Sequence, residues 1–106
     1  MLESKFQAGL IKELKERLPG CIVLKNDPNY IQGIPDLTVL YREKWAMLET
    51  KQSDKASHRP NQEYYIRQCN GMSFARFICP ENKEEVLNDL QRALQSGGKT
   101  RLSGSV

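Results

Sequence analysis

Two short apolar runs, Leu37-Thr-Val-Leu-Tyr41 and Trp45-Ala-Met-Leu-Glu-Thr-Lys51, stand only Arg42-Glu-Lys44 apart. So short a gap suits an antiparallel hairpin, which predicts two paired strands at the centre of the fold. Side chains repeat every two residues along a strand, so Glu49 and Lys51 share one face. Asp36 lies about as far before the turn as Glu49 lies after it. The pairing therefore brings two carboxylates and an ammonium into one patch.

The flanking segments supply the layers around this hairpin. Residues 2–18 read as an amphipathic helix, with Leu2, Phe6, Leu10, Ile11, Leu14 and Leu18 at helical spacing and Pro19-Gly20 as the stop. Cys21 to Lys25 is a β-branched apolar run and hence a strand, followed by a loop from Asn26 to Gly33. A second polar, basic loop runs from Gln52 to Arg59. Pro60 suits the first turn of a helix reaching about Asn70, with Gly71 placed to end it. Met72 to Cys79 predicts a strand. Pro80-Glu-Asn opens a last helix with Val86, Leu87, Leu90, Ala93 and Leu94 as its apolar face. The order αβββαβα suggests one layered α/β domain, residues 1–96, with helices on both faces of a sheet. Residues 97–106, rich in Gly and Ser, read as a flexible tail.

Composition narrows the class. Hydrophobic residues make up 39% and charged residues 27% of 106, ordinary values for a folded domain. No apolar run approaches the roughly 20 residues that span a bilayer, so no membrane partner and a cytoplasmic location are expected. Three cysteines, far apart and without C-x-x-C spacing, read as buried free thiols. His58 is the only histidine, which excludes multi-His metal sites. A net charge of +3 permits nucleic-acid binding without establishing it.

Two adjacent carboxylates repel unless a counter-charge joins them, and a divalent cation supplies one. Carboxylate oxygens suit Mg²⁺ or Mn²⁺, which keep positions for water and substrate phosphate. Lys51 would act on the attacking water, or neutralise charge developing on the phosphate. Phosphodiester hydrolysis is the chemistry implied.

Gly33-Ile-Pro-Asp36-Leu37, Glu49-Thr-Lys51, Pro60-Asn-Gln62 and Asn70-Gly71, with Glu3 and Phe6-Gln7 on the first helix, resemble the restriction-endonuclease-like PD-(D/E)XK superfamily. Within it, the chain looks most like the stand-alone virus-type replication-repair nuclease branch (VRR-NUC) of phages and bacteria. The resemblance covers roughly residues 2–94. It implies an αβββαβα core with a central mixed sheet and a Mg²⁺- or Mn²⁺-dependent DNA endonuclease. Metal ligation falls on Glu3, Asp36, Glu49 and the Thr50 carbonyl, nucleophile positioning on Lys51, and support of the site on Gln62. The branch's late hydrophobic-Arg-hydrophobic stretch has only a loose counterpart in Phe74-Ala-Arg76-Phe77. The same resemblance implies a homodimer that resolves four-way DNA junctions.

Lys55, His58 and Arg59 before the second helix, Arg67 on it, and Tyr30 in the earlier loop are the candidate nucleic-acid contacts, on branched or duplex DNA. The readings in competition are a non-catalytic nucleic-acid-binding module on the same fold and a small protein-interaction domain. The complete Asp36, Glu49 and Lys51 set favours the enzyme.

Overall fold

The computed structural model describes residues 2–95, and the expected tail at 97–106 lies outside them. Seven elements follow in order: α1 (Glu3–Arg17), β1 (Ile22–Lys25), β2 (Leu37–Tyr41), β3 (Lys44–Thr50), α2 (Pro60–Met72), β4 (Phe74–Ile78) and α3 (Lys83–Gln95). The αβββαβα order stands as expected. The strands form one mixed sheet in the order β1-β2-β3-β4. β1–β2 and β2–β3 are antiparallel, whereas β4 joins β3 in parallel through α2. Tyr41 pairs with Lys44, leaving a tight two-residue turn in which Arg42 takes a φ of 58°.

Alternation along β3 separates the two faces of the sheet. Ala46, Leu48 and Thr50 point to the side covered by α1 and α3. There Leu48 and Ala46 share the core with Phe6, Leu10 and Leu14 of α1 and Leu87, Leu90 and Leu94 of α3. Arg17 ties the two helices at their surface, donating to Glu13 at 3.0 Å and to Glu84 at 2.8 Å. The opposite face carries Met47, whose Sδ accepts from the Cys69 thiol of α2 at 3.6 Å, and Glu49. Helices thus cover both faces. α2 packs chiefly on β3 and β4, and Ile22 and Leu24 on β1 and Leu40 on β2 are exposed.

Four details correct the reading from sequence. Leu2 precedes α1 and is 70% exposed, so it does not join the apolar face. Gly71 lies inside α2 rather than ending it. The helix stops instead at Ser73, whose N–H donates to Cys69 O at 2.8 Å and whose hydroxyl donates to the carbonyl of Trp45 on β3. A glycine within a helix costs about 1 kcal/mol against alanine, a modest penalty that contact with a strand outweighs. Pro80-Glu-Asn82 forms a turn before α3. Asn82 fixes it, accepting from Cys79 N–H at 2.8 Å and from Val86 N–H at 3.0 Å. Finally, Cys21 is only half-buried; Cys69 and Cys79 are buried, and burial pushes all three free thiols up.

Candidate active site

The expected patch forms where β2 begins and β3 ends. A chain of hydrogen bonds crosses it from α1 to α2. Gln7 Nε2 donates to Thr50 Oγ1 at 3.2 Å. The Thr50 hydroxyl donates to Asp36 Oδ2 at 2.5 Å, and its backbone N–H reaches the same oxygen at 3.0 Å. The Asp36 N–H donates to Glu49 Oε1 at 3.2 Å. From the other side, Gln62 Nε2 donates to Glu49 Oε2 at 3.1 Å. Lys51 Nζ completes the chain by donating to Gln62 Oε1 at 2.8 Å.

Each position follows from the local fold. Glu49 on β3 and Lys51 just past its end are two apart in extended chain, which sets both on the face under α2. Pro60 opens α2, and Gln62 comes to the sheet in its first turn; its Oε1 also accepts Arg59 N–H at 3.1 Å. Asp36 is set by a staple at the base of its loop: Asn26 N–H donates to Asp36 O at 2.8 Å. Asn26 Nδ2 donates to Pro35 O at 2.8 Å and to Thr38 Oγ1 at 2.9 Å.

The loop then folds back as the wall of a cleft of about 220 Å³, lined among others by Gly33, Ile34, Asp36, Glu49, Asn61 and Gln62. Gly33 permits this approach. Its φ is +93°, and a Cβ there would meet Asn61 Cβ at 2.8 Å. Gly33→Ala combines a disfavoured backbone with a steric clash, so it is expected to destabilise the chain by about 2 kcal/mol. Thermal unfolding of this variant measures that cost; an unchanged midpoint would show that the loop does not pack against α2.

Electrostatics set Glu49 apart. It is only 4% exposed. Burial pushes its carboxyl up to about 7, and the charge of Asp36 adds to the rise. The Lys51 ammonium and the Asp36 N–H oppose it, while Glu3 contributes a further upward push. The pair is thus short of positive charge, and this deficit tests whether a cation fits. Mg²⁺ commonly takes one or two carboxylates and fills its remaining positions with water and phosphate. Asp36 and Glu49 meet that requirement: Asp36 Oδ1 accepts no hydrogen bond among the described residues, and the cleft opens onto both side chains.

The other expected residues divide. Glu3 is exposed in the first turn of α1, close enough to act on Glu49 through its charge. It does not complete a metal-binding group: among the described residues, no cluster of three His, Cys, Asp or Glu side chains is present. Thr50 is fully buried, and its hydroxyl joins the network. Arg59 lines the cleft. His58 stacks on Phe77 at 3.7 Å and shares a smaller hollow with Lys51. Lys55 and Arg67 are exposed and do not line the cleft; Tyr30 is exposed on the loop beside it. Sequence reasoning missed the Asn26 staple, the Thr50 hydroxyl and the Gly33–Asn61 contact. The one local signal for them was the density of Asn, Pro and Gly between residues 26 and 35.

Among the described residues no helix is long and apolar enough to cross a membrane. No family model, curated protein or solved structure matches this chain.

Proposed function

We propose that this chain is a Mg²⁺- or Mn²⁺-dependent endonuclease of the PD-(D/E)XK type, with the VRR-NUC branch as its nearest likeness. The observation that carries the reading is the Gln62 bridge between Glu49 and Lys51, beside an Asp36 locked to the end of the same strand. A surface ion pair on a strand needs no such bracing from a second helix. Here one amide holds a buried carboxylate of the cleft in register with an ammonium that lines the smaller hollow.

Asp36 and Glu49 would hold the cation, with the Thr50 carbonyl as a further ligand and Glu3 adding only its charge. When bound, the cation lowers the pKa of a water and offsets negative charge on the phosphate. Asp36 needs no rearrangement to serve, since Oδ2 is anchored by Thr50 while Oδ1 is open. Glu49 would hold the cation in its ionised form, its proton passing to solvent. Lys51, directed by Gln62, places a positive donor where the phosphate oxygens gain charge. Hydrolysis joins the water oxygen to phosphorus and releases the sugar oxygen, so one phosphodiester becomes a phosphate monoester and a free hydroxyl. Arg59 at the cleft, with His58, Lys55 and Arg67 further out, would contact the phosphate backbone and position it without reading sequence.

DNA as substrate, a homodimer as the working form, and four-way junctions as the preferred shape complete the proposal. The test is cleavage of a labelled four-way junction beside matched linear duplex and flap, in Mg²⁺ and Mn²⁺. Paired symmetric cuts confined to the junction are the expected result. Equal cutting of all three by a monomer would remove the dimer and the junction preference. DNA binding without any cutting would leave a nucleic-acid-binding module.

A further inference from the structure

A second hollow lies against the acidic cleft. It measures about 450 Å³ and is lined by Asn26, Asp27, Tyr30, Ile31, Ile34 and Met47. Ile34 also lines the cleft that holds Asp36 and Glu49, so a single loop separates the two. Met47 forms the floor, two residues before Glu49 on the same face of β3. Tyr30 stands at the rim, 84% exposed. The polar groups of the lining are largely engaged: both amide ends of Asn26 bond to Thr38, and Asp27 Oδ1 accepts Asn29 N–H at 2.8 Å. Apart from the Asp27 carboxylate, what remains is apolar and aromatic.

We infer that this hollow takes one unpaired nucleobase of the strand whose phosphate enters the acidic cleft, with Tyr30 stacking on it. The inference rests on the nuclease reading above and narrows its substrate to nucleic acid with an unpaired base next to the cut phosphate. The shared Ile34 wall sets the two hollows side by side. A strand that lays a phosphate against Asp36 and Glu49 must send its neighbouring base toward one wall, and the Ile34 wall leads to an apolar recess. A base inside a duplex is already stacked and paired, so only an unpaired or extruded one fills the recess at modest cost. Exposed aromatic side chains bind bases of any sequence, because every base has a π-face. The remaining lining supplies apolar contact and no strong demand for a partner, which suits sequence-tolerant binding.

The test compares a short oligothymidylate with an abasic sugar-phosphate strand of equal length. Binding is measured with Mn²⁺ in the Lys51→Ala background so that neither strand is cut. With Tyr30 intact, the base-bearing strand is expected to bind roughly 5- to 100-fold more tightly than the abasic one. Tyr30→Ala should remove that advantage and leave the abasic strand unaffected, whereas Tyr30→Phe should retain it. The inference falls if the two strands bind alike, or if Tyr30→Ala weakens both equally. It also falls if Tyr30→Ala converts a dimer to a monomer in sedimentation, since the surface would then join two copies of the chain. Cleavage by the Lys51-intact protein is scored separately. Metal-dependent cutting without a base effect would keep the nuclease and discard the recess. A base effect without cutting would keep the recess as part of a binding module.

Discussion

Lys51→Ala is expected to lower the cleavage rate about 10²- to 10⁴-fold while leaving DNA affinity nearly unchanged. Lys51 Nζ is held 2.8 Å from Gln62 Oε1 and thereby aligned with Glu49 across one amide. A donor fixed in this way gains most when phosphate charge rises, which lowers the barrier more than it tightens ground-state binding. Gln62→Ala should follow the same direction with a smaller loss, about 10- to 100-fold, because both functional groups survive but lose their orientation. Single-turnover rates on a saturating substrate separate these effects from binding. A Lys51→Ala enzyme that cuts normally would move the catalytic role elsewhere; one that merely fails to bind would make Lys51 a phosphate contact.

The second large effect is on stability and runs against function. Glu49 is raised from its usual range to about 7, chiefly by burial and next by Asp36. The unfolded chain ionises this carboxyl freely near pH 4.5, whereas the folded chain resists ionisation until about pH 7. Stability from this group is therefore fully present below pH 4.5 and lost as the pH rises to about 7. The loss is roughly 3 kcal/mol in the absence of metal. For a chain this size that lowers the unfolding midpoint by more than about 10 °C. Glu13 moves the other way: its hydrogen bond from Lys83 holds its carboxyl low, so its contribution disappears only in acid. The two windows do not overlap. Thermal scans in chelator from pH 4.5 to 8 should show the decline in wild type and a flat profile in Glu49→Gln. Mn²⁺ should restore the wild-type protein at pH 8 and do nothing for the variant. A matching decline in Glu49→Gln would assign the pH dependence to other groups.

Much of this centre was legible before any coordinates. The three-residue gap between two apolar runs dictates the hairpin, and strand alternation then places Asp36, Glu49 and Lys51 together. The observed pairing of Leu37 with Leu48 puts Asp36 opposite Glu49, as counting from the turn anticipates. Gln62 was legible only through likeness to a family, since a glutamine early in a helix carries no local signal of its partner. Asn26 and Gly33 were not legible as site residues, and Thr50 was expected to act through its carbonyl rather than its hydroxyl. Their roles depend on contacts with Pro35, Asp36 and Asn61 that arise once loop, strand and helix have met. The end of α2 was misread for the same reason. Gly71 is a helix stop by local preference, but the carbonyl of Trp45 on β3 captures Ser73 and sets the boundary two residues later. Local chemistry located the elements; tertiary contact decided where they end and how the cleft closes.

The central claim is that Asp36 and Glu49 hold a divalent cation that cuts phosphodiesters. Its most direct test is release of labelled product from a branched DNA by wild type and by Asp36→Asn, each in Mn²⁺ and in EDTA. Asp36→Asn is well suited, since the amide preserves an oxygen to accept from Thr50 and removes the charge and the open oxygen that would meet the cation. Product from wild type in Mn²⁺, and none from the variant or in EDTA, is the predicted result. Equal product from both proteins, or undiminished product in EDTA, would contradict it.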